Sequence, residues 1–367
     1  VADDIEKAIE TYQLWKQTYP RDFTPPNNLA NRYDQIGQFD KGAEEAREAL
    51  RREPNHPFPY SHLARAYMGL NRFDEAKAII QKALALKLEI LNFHILLYGI
   101  AFLQGDSAEM QRQLDWMKGK PQEYFIFSLQ AATAQFSGKL RQAREFSRKA
   151  IELAQRGNFK EPAAIIAAGQ ALAEANFGNF REARDRAAEA LAIARSEIAL
   201  FNAANALALS GAVDQGQTLM EEAGTRFPAD TIFNNVALPI FRARFEIDRG
   251  NPEKAIQLLQ PAQPYEIGYL AVPYVRGQAY LRLRKGSEAA AEFQRILDHK
   301  GALFQTNPPY IFAMAQLGLG RAWAVAGDIP KSRKAYQDFL ALWKDADPDI
   351  PILQQAKQEY AKLQAGQ

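Results

Sequence analysis

Residues 23–55, FTPPNNLANRYDQIGQFDKGAEEAREALRREPN, decide how the rest of the chain is read. Leu29, Ala30 and Tyr33 fall three and four apart. Gly42, Ala46 and Ala49 repeat that spacing after Gly37, so the stretch predicts two short helices, each with one narrow stripe of small or apolar side chains. Two such stripes pack closely. Gly37 predicts the turn between them and Asp40 the N-cap of the second helix. Pro54 ends that helix, because proline has no amide hydrogen with which to continue the ladder.

The pattern recurs in phase. Thirty-four residues on from Leu29, Ala30 and Tyr33 stand Leu63, Ala64 and Tyr67, followed by a turn at Gly69 to Asn71 and by Ala76 and Ala83. Another step reaches Leu97, Tyr98 and Phe102 with Gly105. One step back from Pro54 is Pro20, preceded by Ala8, Tyr12 and Trp15 at the spacing of Gly42, Ala46 and Ala49, so the chain opens on the second helix of a pair. This spacing resembles the tetratricopeptide repeat. The resemblance implies an all-α fold: a right-handed superhelical solenoid of antiparallel helix pairs with a C-terminal capping helix.

A single array over 1–367 is expected, with a half repeat at 1–22, regular repeats at 23–121 and repeats with longer helices at 122–228. Less regular repeats follow at 229–345, and a capping helix at 350–364. Gly138, Gly178 and Gly211 mark further turns, and Ala183, Ala187 and Ala190 predict close helix approach. Pro239 predicts a kink in the long stretch Thr231 to Arg249. HKGALFQTNPPY, His299 to Tyr310, is the longest candidate loop. Nine complete pairs, one half pair and one cap account for the chain.

Composition narrows function by exclusion. Lys plus Arg (45) against Asp plus Glu (43) leaves +2, which gives no electrostatic case for nucleic acid or an acidic membrane. The absence of cysteine removes disulfides, thiol catalysis and thiolate zinc sites. No run long enough to span a bilayer occurs, and VADDIEKAIE does not read as a signal peptide. Opening on valine and half a pair, the sequence reads as a fragment of a longer protein. The compartment stays open between bacterial cytoplasm and the extracytoplasmic side of a membrane-anchored parent.

Chemistry-bearing motifs are sparse. His56, His62, His94 and His299 form no HExxH pair, and no GxSxG or GxxxxGK[ST] occurs. His56 and His299 read as surface residues. Gly318 and Gly320 lie in a helical pattern with no strand before it and read as packing positions rather than a nucleotide loop. No catalytic, cofactor or metal residue is assigned, and the fragment reads as a non-enzyme. A closed small-molecule pocket between Phe125 and Arg249 is the weaker alternative, because the alanine-rich packing there leaves little room.

The candidate site is the concave wall lined by the first helices. Helical phase points Asn27, Asn28, Asn31 and Asp34 into it, then Ser61, His62 and Arg65, then Phe201, Asn202 and Asn205, and finally Arg244, Gln278 and Arg321. Asparagine carries a donor and an acceptor on one short side chain, so a spaced row can bond both backbone groups of an extended peptide. The family resemblance implies such a protein or peptide ligand. Asn28, Asn31 and Arg65 also resemble part of the family's carboxylate clamp, whose lysines are absent here. Tyr12 and Trp15 on the half repeat suggest homodimerisation.

A narrower resemblance lies at the C-terminus. Asp328 to Leu363, with the preceding AQLGLGRAWAVAG, is similar to the repeat region of some bacterial eukaryotic-like serine/threonine protein kinases. It implies a sensor or regulatory region whose catalytic domain is upstream. No HRD, DFG or glycine-rich phosphate loop is present in this sequence.

Overall fold

The computed structural model describes residues 4–305 and 307–365. After α1 (Ile5–Thr18) come nine antiparallel pairs among the described residues. The first three are α2 (Thr24–Gln35) with α3 (Phe39–Arg52), α4 (Pro57–Gly69) with α5 (Phe73–Ala85), and α6 (Leu91–Gln104) with α7 (Ser107–Met117). Next are α8 (Tyr124–Phe136) with α9 (Leu140–Arg156), α10 (Lys160–Phe177) with α11 (Phe180–Ile193), and α12 (Glu197–Leu209) with α13 (Val213–Arg226). The last are α14 (Leu238–Asp248) with α15 (Pro252–Leu258), α16 (Ala271–Arg282) with α17 (Gly286–Asp298), and α18 (Ile311–Val325) with α19 (Ile329–Leu342). The helix α20 (Pro351–Gln364) caps the array and buries only Leu353 and Ala356.

The turn inside every pair contains one residue with positive φ. These are Gly37, Asn71, Gly105, Gly138, Gly178, Gly211, Gly250, Arg284 and Gly327. Seven are glycine, which reaches this region without a Cβ clash. The predicted stripes are the packed faces: Leu29, Ala30, Ala46 and Ala49 have no exposed surface, nor have Ala183, Ala187 and Ala190. Asp40 is not the N-cap of α3. The left-handed turn at Gly37 lets the helix begin at Phe39, capped by Gln38 without a side-chain bond, and Asp40 falls in the first turn, where its charge suits the helix dipole.

Two other expectations gain detail. The stretch 231–249 is interrupted upstream of Pro239, by a π-helical turn at Phe233–Ala237 that absorbs the extra residue. Pro239 follows directly in a run that stays helical from 231 to 248, and the π turn before it accommodates the amide that proline lacks. The segment His299 to Tyr310 is a loop between α17 and α18, but a packed one: Ala302, Leu303 and Tyr310 are buried, and a short 3₁₀ turn spans Lys300–Ala302. Thr306 lies outside the described residues.

The burial of that segment follows from closure of the superhelix on itself. The seventh pair returns to the first, where Ile5, Leu29, Tyr33 and Ile36 share a core with Val236, Ile240, Ala255 and Tyr265. The Ile5 amide donates to Thr231 Oγ1 at 2.9 Å, and the Tyr265 hydroxyl to Glu6 at 3.0 Å. The later pairs then seat on the turns of the first five. A Cβ on Gly37 would collide with the Gly268 backbone. Asn71 donates to the Asp298 carbonyl (2.7 Å) and accepts from the Gly301 amide (2.8 Å). Trp343 Nε1 donates to the Phe136 carbonyl (2.9 Å), Asp347 N to the Gly138 carbonyl (3.0 Å), and Pro351 packs on Gly178.

The accessible surface, 16431 Å² for 41.2 kDa, is close to the roughly 14,700 Å² that mass scaling gives for a globular monomer. An open spring of separated turns would exceed that value by much more. Tyr12 packs on the same first-to-seventh core, so part of the half-repeat stripe is covered by the chain itself. Leu14 and Tyr19 stay exposed.

Candidate functional site

Counting back from the nine positive-φ residues places the first helices in register. Six residues before each stand Asn31, Arg65, Gly99, Ala132, Leu172, Asn205, Arg244, Gln278 and Arg321. One helical turn earlier the same row holds Asn27, Ser61, Phe201 and Tyr274. Eight of the twelve polar candidates fall on these rows, and Asn28, Asp34, His62 and Asn202 lie beside them. The rows are polar in pairs one, two and six to nine, and apolar through the middle pairs.

Several candidates are already engaged by the chain. Asp34, 2% exposed, points into pair one against Gly42, where a Cβ would collide with its carboxylate. Arg65 reaches across from the next helix, Nε standing 3.3 Å from Asp34 Oδ2. Its Nη2 donates to Asn31 Oδ1 at 2.7 Å and lies 3.0 Å from His62 Nδ1. Burial raises the Asp34 pKa to about 7 against the lowering effect of Arg65. Burial, reinforced by Arg65, lowers His62 to about 3. Arg321 forks onto Glu359 of the capping helix at 2.9 and 3.0 Å, and Glu359 also accepts the Tyr336 hydroxyl. These two arginines hold adjacent elements together.

Other candidates keep unused bonding capacity. Asn27 is buried rather than capping. Its Nδ2 donates to Asn28 Oδ1 (3.2 Å) while its own Oδ1 has no partner. Asn205, 1% exposed, donates Nδ2 to the Phe201 carbonyl and leaves Oδ1 unpartnered. Asn202 and Gln278 are half-buried. Arg244 has Nε and Nη1 buried and without a partner.

Sequence spacing missed the largest buried network. Glu174, with no exposed surface, receives Arg144 in a fork (2.7 and 2.8 Å), Gln170 Nε2 (2.8 Å) and Asn179 Nδ2 (3.0 Å). Gln170 Oε1 in turn accepts from Gln135 and Ser147. Each member is satisfied, so the network ties α8, α9 and α10 together rather than offering a site.

Gly318 packs on Phe293 and Gly320 on Tyr336, as packing positions require. His56 caps α4, His299 is half-buried, and His94 stacks on Trp116 while bonding Gln113 (2.7 Å). Among the described residues no group of three His, Cys, Asp or Glu is placed to hold a metal, and no helix is long and apolar enough to cross a membrane. A cleft of about 460 Å³ opens between α13, α14 and α15, lined by Met220, Leu238, Phe241 and Phe245 with the ion pair Glu246–Lys254.

Stacked helix pairs with a common turn and an inner polar wall define an α-solenoid. Two tetratricopeptide-repeat family models match the sequence, one over residues 36–88 and one over 274–349. The chain thus carries tetratricopeptide repeats in both stretches, and such repeats are in general non-catalytic protein-interaction modules. The second match covers α16 to α19, where the sequence phase is loosest.

Neither match bears on the kinase-region resemblance, and no curated protein matches the sequence. Solved structures with a similar course include the crystal structure of yeast Tom70, 14% identical over 99% of this chain and 92% of that one, with a TM-score of 0.40. The Cut9–Hcn1 hetero-tetramer of APC/C is 14% identical over 87% of this chain and 66% of that one (TM-score 0.47). The P58(IPK) TPR domain is 15% identical over 94% and 98% (TM-score 0.30). At this likeness nothing about partners passes from them to this chain.

Proposed function

We propose that this chain binds an extended segment of a partner protein along its inner wall, through the rows contributed by pairs one, two and six. What supports this reading is a pair of buried asparagine acceptors on these rows, Asn27 Oδ1 and Asn205 Oδ1, that have no hydrogen-bond partner among the described residues. An unbonded buried acceptor costs about 1–3 kcal/mol, and a peptide amide would repay it. Because packed pairs already fix these side chains, docking orders few groups on the protein side. Arg65 and Asp34 act in this reading as the support that holds Asn31 in place.

Site-specific photo-crosslinking tests it. A photoreactive residue replaces Asn202 on the inner wall or Arg181, which is exposed, and each protein is irradiated in the cells that make it. The reading predicts a discrete partner crosslinked from 202 and not from 181. A partner captured only from 181 would move binding to the outer face.

A further inference from the structure

Arg244 is the one inner-wall arginine of the row that the chain leaves without a partner. Arg65 is paired with Asp34 and Arg321 with Glu359, whereas no described carboxylate lies within ion-pair distance of Arg244. The guanidinium cannot shed its charge at any ordinary pH, and an isolated buried charge is among the least favourable features a fold retains. Nε and Nη1 are buried, yet the residue as a whole is only half-buried.

What surrounds it is a set of further donors. Tyr310, buried at the start of α18, shares a core with Tyr274 of α16, the helix that packs against α14, and both lie within electrostatic range of Arg244. The Tyr310 oxygen accepts from Asn176 Nδ2 at 3.3 Å, which leaves the Tyr310 proton for another acceptor. Tyr274 lies within the fields of both Arg244 and Arg321. Asp248, one turn along α14, has its pKa raised by burial against the lowering effect of Arg282 and Arg244. A positive fork and two hydroxyls are contributed by α14, α16 and the start of α18, the first helices of the last three pairs, which pack on one another in turn.

We propose that Arg244, Tyr274 and Tyr310 form a binding site for an oxyanion, a carboxylate or a phosphoryl group, on the inner wall of the closed superhelix. Both ligand types present two or more acceptor oxygens to a planar fork, the geometry that guanidinium favours. The site lies on the wall of the proposed peptide reading and rests on that wall being reachable. It does not need a peptide: a free anion fills it.

The test titrates inorganic phosphate and, separately, acetate into the protein by calorimetry, with phosphorus NMR for the first. Sodium chloride holds ionic strength constant. Wild type is compared with Arg244→Met and Tyr310→Phe, each checked by circular dichroism. Saturable one-to-one binding is expected, weakened at least about tenfold by Arg244→Met and several-fold by Tyr310→Phe, which loses a single hydroxyl. The tighter of the two anions names the source as phosphoryl or carboxylate. In chloride alone Arg244→Met should melt no lower than wild type, because it removes an unpaired charge.

Absence of saturable binding by wild type, or equal binding by Arg244→Met, overturns the site. So does an Arg244→Met protein that melts lower in chloride, which would make the arginine structural. Because no peptide enters the experiment, failure here leaves the crosslinking test of the peptide reading independent.

Discussion

Replacing Asp34 by Asn should make this protein more stable at neutral and alkaline pH. Asp34 has its pKa raised from 3.8 to about 7, chiefly by burial and net of the attraction of Arg65. Between those values the unfolded chain ionises this carboxyl while the folded chain keeps it protonated, so the folded state binds more protons and stability falls as pH rises. At about 1.4 kcal/mol per unit the penalty reaches roughly 4 kcal/mol by pH 8 and shrinks to about 1.6 kcal/mol at pH 5. Asparagine has the shape of the protonated acid and no such penalty.

His62 acts in the opposite sense. Its pKa is lowered from 6.5 to about 3, so it costs stability as pH falls below 6.5. In the range where both titrate the two slopes oppose each other, and the wild-type profile alone is uninformative. The diagnostic is the difference between wild type and Asp34→Asn in urea unfolding at about pH 8, 6.5 and 5, with hydrogen exchange of the α2 and α4 amides to confirm that the effect is local. The gap should narrow by about 2.5 kcal/mol from pH 8 to pH 5. A variant no more stable than wild type at pH 8, or a gap independent of pH, would refute the reasoning.

Three further predictions concern the contacts that hold the array and its seam. Arg65→Ala removes the cation beside Asp34, whose carboxyl then takes up a proton rather than staying charged, and should cost about 1–2 kcal/mol at pH 8 in urea unfolding. Adding Asp34→Asn to it should recover most of that loss. Trp343→Phe removes the donor to the Phe136 carbonyl and should cost about 1–2 kcal/mol by the same measurement, against about 3–5 kcal/mol for Trp343→Ala, since Trp343 is 2% exposed. Gly301→Ala would drive a Cβ into the Met68 carbonyl, so the 299–310 segment must lift. Limited proteolysis there should quicken while far-ultraviolet circular dichroism stays unchanged.

The repeat itself was plain in the sequence because its signals are local. Turn glycines, a small-residue stripe on the second helix and a Leu-Ala-x-x-Tyr stripe on the first each report on contacts within one pair. Helical phase expects Asn31, Arg65, Asn205 and Arg244 on the groove side, and each stands six residues before the turn of its pair. Closure was not legible, since it depends on small rotations summed over seven pairs, and no residue near Gly268 or Trp343 announces which distant turn it will meet. Consequently the sequence of His299 to Tyr310 reads as a loop, with no sign that the loop is packed.

The internal pairing of the wall was partly hidden for the same reason. Asn31 and Arg65 stand 34 residues apart in equivalent positions, so their bond was available from register alone. The pairing of Arg321 depends on how α20 folds back, which the polar pattern of the cap does not specify. The Glu174 network joins Gln135 and Ser147 to Gln170 from three helices, and single-helix periodicity treats each of those residues merely as a polar interruption.

Closure brings Tyr310 to Asn176 and buries Ala302, Leu303 and Tyr310, and small-angle X-ray scattering tests it most directly. A chain of this length folded compactly has a radius of gyration of roughly 21 Å. A value within a few ångströms of that, unchanged with protein concentration, is the expected result. A radius well above it, on the order of 28 Å or more for the monomer, would mean that the last pairs do not seat on the turns of the first five.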